Sequence, residues 1–251
     1  MRKVCMLIVV LGLSTGVSTS LAGDRHFVVG VENIDHYPHY TLQNGEWSGF
    51  GRDVLDAFAK DRGYSFTYRP YPVKRLMLKS WQEEVDLMFP DNPLWFPEKK
   101  KAVAITYSVN FVEVVEGTLV PPERVGDGIN AITILGTITG FTAASYTPYI
   151  EKGQVKIDHA RDSRYVLLKV LDGRTDAAFM AVDSAKYVLD GVLNTPGSLV
   201  FDPSLPYDNY ANYVSSVKRP HLIKEFDQFV EQHAAFIAEL KQKYKMTSGL
   251  Q

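Results

Sequence analysis

The sequence predicts an α/β protein of two similar lobes, each a mainly parallel sheet flanked by helices, joined by two crossover strands. Between residues 26 and 89, apolar runs of strand length alternate with segments of helical spacing, in the order β-α-β-α-β. The same order begins again at residue 131. Strands that alternate with helices in this way usually pair in parallel and carry the helices on the faces of the sheet.

The first run of this order contains three predicted strands and two predicted helices. The strands are expected at residues 26–31, 64–68 and 85–89. A helix is predicted over Phe50–Arg62, because apolar side chains recur there at helical spacing and Gly63 follows as a stop signal. A second helix is predicted to begin at Pro72.

The second run repeats the pattern and is flanked by two extended segments. Its strands are expected at residues 131–135, 155–157 and 175–180, with a helix over 164–171. Gly136 is predicted to open a loop that leads into a helix near Thr142. The extended segments Val112–Val120 and 207–217 are the predicted crossovers, and Pro220 is predicted to begin one long tail helix with an apolar face.

The N-terminus has the features of a cleavable signal peptide over residues 1–22. Arg2 and Lys3 precede an apolar run over residues 4–13, and small residues follow up to Ala22. The run is shorter than the roughly 20 residues that a membrane span requires, although an uncleaved anchor is the alternative. We therefore expect export to the periplasm, with loss of Cys5, the single cysteine, and of all disulfide or thiol chemistry.

Composition and motifs exclude several classes of function. The chain has 27 basic and 29 acidic side chains, whereas a nucleic-acid partner usually requires a basic surface. There is no Gly-x-Ser-x-Gly elbow, and the glycines at 136 and 140 lack the lysine of a phosphate loop. We therefore expect no catalytic residue, no cofactor and no enzymatic activity, although backbone N–H groups near residue 140 would suit an anion.

His36 and His39 form the one closely spaced histidine pair, with Glu32 and Asp35 nearby. A zinc site requires three or four converging ligands, which this spacing alone does not supply. We expect these histidines to face solvent in a loop and to hold no metal.

Aromatic side chains are concentrated in predicted loops and at the ends of predicted elements. Aromatic rings with polar tips form good walls for small-ligand pockets, and ordinary packing is the alternative. The aromatic residues concerned are Tyr37, Tyr40, Trp47, Trp95, Phe96, Tyr107, Phe111, Tyr207, Tyr210 and Tyr213. We expect a few of them to contact a ligand, and select Tyr37, Tyr40 and Trp95.

Five stretches in this order resemble the bacterial extracellular solute-binding protein family 3, the polar amino-acid type of periplasmic binding protein. They are residues 27–31, 49–59, 85–89 and 172–183, and the tail helix. The resemblance implies a type II periplasmic-binding-protein-like fold that closes over its ligand. It also implies that the tail returns to the first lobe, which gives residues 23–112 with 208–251 as lobe 1 and residues 113–207 as lobe 2.

The same resemblance implies a function. It predicts a monomer that captures a small polar, amino-acid-like solute and delivers it to an ABC-type transporter or a sensor. One alternative is a dehydratase-like enzyme on this fold, with Asp91 as its general acid. The other is a sensory or interaction module without a transporter.

The resemblance also suggests ligand-binding positions, with two departures from the family. The family's arginine, which clamps a ligand carboxylate, corresponds to Lys101 or Lys99, and Arg75 is the other candidate for this role. Asp91 lies in a loop that lacks the family's small hydroxyl residues.

In the second lobe, Thr139 and Thr142 match the loop that donates hydrogen bonds, and Asp183 matches the acid that holds the ligand's ammonium group. The alternatives are a surface position for Arg75 and a helix N-cap role for Asp183.

Overall fold

The computed structural model describes residues 25–246, so the predicted signal peptide lies outside the described residues. The strands are β1 (His26–Glu32), β2 (Thr41–Gln43), β3 (Glu46–Ser48), β4 (Ser65–Tyr71), β5 (Leu87–Asp91), β6 (Thr106–Tyr107), β7 (Val112–Val120), β8 (Ile134–Ile138), β9 (Lys156–Ala160), β10 (Ala177–Ala181), β11 (Val200–Phe201) and β12 (Asp208–Ser216). The helices are α1 (Phe50–Arg62), α2 (Val73–Trp81), α3 (Pro97–Lys100), α4 (Thr147–Glu151), α5 (Ser163–Leu171), α6 (Val182–Tyr187), α7 (Pro220–Gln232) and α8 (Ala234–Lys243).

A single curled sheet runs through the described part of the chain in the order β4-β1-β5-β12-β7-β10-β8-β9. At one end β1 pairs in parallel with β4 and β5, and at the other end β8 pairs in parallel with β9 and β10. The antiparallel pairs involve β7 and β12. The sequence prediction of parallel strands flanked by helices, repeated in two halves, is confirmed.

The two predicted crossover segments are β7 and β12, which pair with each other in the middle of the sheet. Residues 208–212 of β12 oppose residues 112–116 of β7, and the later residues of β12 pair with β5 and β6. On its other side β7 pairs with β10 and β11 of the second half, so the pairing of β7 with β12 joins the two halves of the sheet.

Each lobe has its own apolar core. The first lobe is built around a core that draws its buried residues from 27–112 and from 214–240. The second lobe has cores formed by residues between 119 and 205. In the first core, Phe50, Val54 and Phe58 of α1 are fully buried, and each such side chain contributes about 1.5–3 kcal/mol on burial.

Several sequence predictions of element position are wrong. The strand expected at residues 85–89 is Leu87–Asp91, because β12 pairs with it as far as Asp91. The strand expected at 131–135 is Ile134–Ile138, so Gly136 lies inside β8 and opens no loop. Pairing with β9 on one side and β10 on the other holds this glycine in the sheet.

The tail forms two helices rather than one. The break is at His233, whose φ of −114° and ψ of 27° are not helical. The ring of His233 lies on Phe229, at 4.6 Å between centroids, and its Nε2 is 3.3 Å from Asp61 of α1. The break lets Phe229 and Ile237 both enter the first core. No helix among residues 25–246 is long and apolar enough to cross a membrane.

Candidate functional site

The two lobes meet around a group of polar and aromatic side chains, which we call the interlobe cluster. The first lobe contributes the end of β1 and the loop after it, the crossovers contribute one side chain each, and the second lobe contributes the start of α6. The interlobe cluster consists of Glu32, His36, His39, Tyr40, Glu116, Asp183 and Tyr210. Tyr210 is partly buried and the others are buried.

The loop after β1 is held against the N-terminal end of α1. The N–H of Gly51, in the first turn of α1, donates a hydrogen bond of 2.9 Å to the carbonyl of His39. Gly49 has a φ of 115°, and a Cβ there would lie 2.8 Å from the Cα of Tyr40. A glycine at this position is what allows the loop to turn His39 and Tyr40 inward.

Two tyrosine–glutamate pairs form the centre of the interlobe cluster. The Tyr40 hydroxyl donates to Glu32 Oε2 at 2.5 Å, and the Tyr210 hydroxyl donates to Glu116 Oε1 at 3.0 Å. Glu116 lies on β7 directly opposite Asp208 of β12. The two crossovers thus add the carboxyl groups of Glu116 and Asp208 to that of Glu32, at the end of β1.

Both glutamates are held near the midpoint of their titration at neutral pH. Burial raises the pKa of Glu32 from 4.5 to about 7, and the carboxylate of Asp91 adds to this effect. Burial likewise raises the pKa of Glu116 from 4.5 to about 7, to which Asp208 and Glu32 contribute. The tyrosine hydrogen bonds oppose these shifts by favouring the charged form.

The two histidines are buried, and the prediction that they face solvent is wrong. His36 is 3 % exposed and His39 is 1 % exposed, because α1 and the second lobe cover their loop. Burial lowers the pKa of His36 to about 4 and the pKa of His39 well below its usual value. Both are therefore neutral at pH 7.

The buried imidazoles have nitrogens without hydrogen-bond partners. Among residues 25–246, this holds for Nε2 of His36 and for both ring nitrogens of His39. His39 Nε2 is 3.6 Å from Oδ2 of Asp183, which is too long for a hydrogen bond. Buried nitrogens without a protein partner are able to form hydrogen bonds with a polar ligand.

Direct contacts join the loop after β1 to the second lobe. The rings of Tyr37 and Tyr187, at the end of α6, lie 4.2 Å apart between centroids. The rings of His36 and Phe141 are 5.8 Å apart. The interlobe cluster is therefore enclosed by side chains of both lobes.

Asp91, beside the interlobe cluster, is occupied by its own protein contacts. Lys100 Nζ donates to its Oδ1 at 2.6 Å, and the hydroxyl of Ser215 donates to its Oδ2 at 2.7 Å. Lys100 also donates to the carbonyl of Asn92 at 2.6 Å. Both oxygens of Asp91 are thus engaged, which does not favour the alternative in which this residue is a general acid.

The structure brings together some of the predicted ligand-binding residues. Tyr40 and Asp183 belong to the interlobe cluster, and Tyr37 borders it. Trp95 approaches Tyr210 edge-on, with 5.7 Å between ring centroids. The alternative in which Asp183 caps a helix is wrong, because α6 has Ala181 as its N-cap and Asp183 lies within the first turn.

Other predicted residues lie outside the interlobe cluster. Arg75 is exposed on α2, and Lys101 is exposed beside Glu98, at 2.6 Å. Lys99 is also exposed, and the buried lysine of this segment is Lys100.

Thr139 and Thr142 are both exposed, and the hydroxyl of Thr139 donates to the carbonyl of Ala160 at 3.0 Å. Phe141, which lies between them in the chain, is the residue of this loop that faces His36.

Sequence reasoning did not select Glu32, Glu116 or Lys100 as ligand-binding residues. One available signal for Glu32 was its position after an apolar parallel strand, since ligands bind at the carboxyl ends of such strands. For Glu116, the signal was a carboxylate inside a crossover that is apolar apart from Glu113 and Thr118. No group of three or more His, Cys, Asp or Glu side chains within residues 25–246 has an arrangement that could hold a metal ion.

Comparison with known proteins shows that this chain shares its fold with solved structures. No family model and no curated protein matches the sequence. Among solved structures, the GluR0 ligand-binding core in complex with L-glutamate superposes with a TM-score of 0.70 at 14 % identity, covering 90 % of this chain and 99 % of that one. An arginine transport system periplasmic binding protein from Legionella pneumophila gives a TM-score of 0.66 at 15 % identity, covering 87 % of this chain and 99 % of that one.

A third structure is described as that of an ancestral amino acid-binding protein, AncCDT-1, a precursor of cyclohexadienyl dehydratase. It gives a TM-score of 0.66 at 18 % identity, covering 88 % of this chain and 94 % of that one. The chain has the two-lobed fold of type II periplasmic binding proteins, as the sequence predicts. The solved structures that share this fold with it include polar amino-acid binding proteins, so the resemblance seen in the sequence is confirmed at the level of fold.

Proposed function

We propose that this protein is a periplasmic solute-binding protein that captures a small polar solute between its lobes and delivers it to an ABC-type transporter. The observation that carries the proposal is the interlobe cluster, in which buried side chains from both lobes and both crossovers meet. Buried imidazole nitrogens without a protein partner are groups that a polar solute could satisfy. The proposed lobes are residues 23–112 with 208–251, and residues 113–207.

The solute-binding role also has support from the structures that share the fold. Several are described as amino-acid-binding proteins, one of them as an ABC uptake transporter protein with bound histidine. In this chain, Tyr40 and Asp183 are the residues that we propose contact the solute, with Tyr37 and Trp95 at its border.

Thermal unfolding in the presence of a panel of amino acids, amines and small acids tests the proposal. A solute that binds only the folded state stabilises it by about 2.7 kcal/mol when its concentration exceeds Kd about a hundredfold. We expect at least one solute of the panel to raise the unfolding temperature in a concentration-dependent way. Absence of any shift across the panel contradicts a solute-binding role.

A matched pair of variants tests the proposed binding residue of the second lobe. Asp183→Ala removes a buried carboxylate that faces His39, whereas Asp190→Ala removes an exposed one, paired with Lys186, in the same region of the chain. Only Asp183→Ala is expected to abolish solute binding, with little change in unfolding temperature. Equal affinities in the two variants would exclude Asp183 from the binding site.

A second candidate function is enzymatic turnover of the bound solute. It is favoured by the two carboxyl groups, Glu32 and Glu116, whose pKa values of about 7 suit general acid catalysis at neutral pH. One solved structure that shares the fold is described as a precursor of cyclohexadienyl dehydratase. An NMR time course of the bound solute distinguishes the functions, since a binding protein leaves the solute unchanged.

A further inference from the structure

The interlobe cluster is acidic, and the two central glutamates have no cationic side chain beside them. Within residues 25–246, Glu32 and Glu116 accept hydrogen bonds from tyrosine hydroxyls, and no lysine or arginine pairs with either. Asp183 adds a third carboxylate. The nearest buried lysine, Lys100, is engaged by Asp91 and Asn92.

Several buried polar groups near these glutamates have no hydrogen-bond partner among the described residues. Besides the ring nitrogens of His36 and His39, Oδ1 of Asn212 on β12 is buried and has no hydrogen-bond partner among the described residues. The ring of His36 stacks on Tyr40, 5.2 Å between centroids, and so lies beside the Tyr40–Glu32 pair. A neutral imidazole has one acceptor nitrogen and one N–H donor, so a partner with N–H donors would satisfy Oδ1 of Asn212 and the acceptor nitrogen of His39.

Electrostatics favours the same kind of partner. Apart from Lys100, which is paired with Asp91, the titratable groups around Glu32 and Glu116 are acidic or neutral: Asp91, Asp183, Asp208, Tyr40, Tyr210, His36 and His39. Burial keeps the pKa of both glutamates at about 7, so each loses its proton readily if a positive charge comes near. The rings of Tyr210 and Trp95, which meet edge to face, add aromatic surface on which an ammonium group is stable.

We propose that the interlobe cluster binds its solute through a protonated amine held by Glu32 and Glu116, and that it prefers organic amines to the corresponding amino acids. An α-carboxylate would enter a site that already holds several carboxyl groups and no guanidinium. The inference rests on the proposed solute-binding function and narrows its substrate class.

Matched amines and amino acids separate this inference from the broader proposal. Isothermal titration compares agmatine with arginine, cadaverine with lysine, histamine with histidine, and tyramine with tyrosine, so that each pair differs by one carboxylate. We expect at least one amine to bind about tenfold or more tightly than its amino acid. Tighter binding of the amino acid in every pair that binds overturns the inference and leaves the solute-binding function intact.

Failure of all four pairs to bind also overturns the inference. The solute-binding function itself then fails only if the wider thermal panel gives no shift. Failure of the amine preference can therefore be distinguished from failure of the solute-binding function.

The pH dependence of amine binding tests the role of the glutamates. Binding of a cation drives Glu32 and Glu116 to release protons, so affinity should rise from about pH 6 to about pH 8. Titration at about pH 7 in two buffers of different ionisation enthalpy measures this release. Proton uptake on binding contradicts the inference.

Two glutamine variants complete the test. Glu116→Gln and Glu32→Gln should each weaken amine binding about tenfold and reduce proton release, because a charge-assisted hydrogen bond is lost. The control is Glu113→Gln, which removes the same charge from an exposed position on the same strand and should change neither quantity. Unchanged affinity in both cluster variants overturns the inference.

Discussion

At the scale of single residues, the main feature is a pair of carboxyl groups kept from water. Glu116 is 7 % exposed and accepts its hydrogen bond from Tyr210, which is 94 positions away in the sequence. The residues around Glu116 form a mostly apolar crossover strand, and they do not indicate that Tyr210 is its partner. Asp183 and Tyr40 were selected as candidates from local motifs and a family resemblance, whereas the proposal for Glu116 depends on a contact that only the folded chain makes.

The titration of Glu116 predicts a pH-dependent effect on stability. Its pKa is raised from 4.5 to about 7, so the folded state binds more protons than the unfolded chain between these values. The contribution of Glu116 to the free energy of unfolding is therefore present at low pH and is lost as the pH rises through about 7.

Glutamine does not titrate, so Glu116→Gln should become more stable relative to the native protein as the pH increases from about 4.5 to about 7. Denaturant unfolding at several pH values measures the difference, and Glu113→Gln, on the exposed face of β7, should show no such trend. The opposing titration of His36 is common to all three proteins and cancels in the comparison. A constant difference across the range would contradict the raised pKa.

At the scale of secondary structure, local patterns identified some element limits and missed others. The limits of α1 agree with the prediction, because its apolar spacing and the left-handed Gly63 are both local signals. The limits of β5 and β8 do not, since pairing with β12 and with β9 decides how far these strands extend. Such pairing joins residues far apart in the chain and is absent from any short window of sequence.

The N-terminus of α5 offers a prediction at this scale. Asp162 is its N-cap and accepts a hydrogen bond of 3.0 Å from the N–H of Tyr165. Asp162→Ala should lower the free energy of unfolding by about 1 kcal/mol, because a helix N–H loses its partner. Asp172→Ala, at the C-terminal end of the same helix, is the control and should have a smaller effect. Chemical denaturation measures both, and an equal loss would exclude capping as the cause.

At the scale of the whole molecule, the loop after β1 contacts the second lobe at Tyr187 of α6, at Phe141 and at Ser163 of α5. The contact between Tyr37 and Tyr187 lies beside the approach of His39 to Asp183. An aromatic pair of this kind contributes about 1 kcal/mol beyond the area that it buries. Its loss should therefore shift the equilibrium between closed and open arrangements severalfold.

Fluorescence transfer between the lobes measures that shift. Dyes attached through Lys60→Cys on α1 and Arg174→Cys in the second lobe report the distance, with Cys5 changed to serine. Tyr187→Ala should lower the transfer efficiency, which indicates a more open ensemble. Tyr165→Ala removes an exposed ring of the second lobe that stacks on Arg161 instead, and should leave the efficiency unchanged. A similar change in both variants would show that Tyr187 does not hold the lobes together.

The division of the cores along the chain has a consequence for synthesis on the ribosome. The second core is complete once residues 119–205 have emerged, whereas the first core needs Val214, Phe226 and Leu240 from the end of the chain. A nascent polypeptide can therefore bury the second lobe while the first core still lacks the side chains of β12, α7 and α8. Premature termination before α7 would leave a finished second lobe attached to an incomplete first one, with its apolar face open to chaperones and proteases.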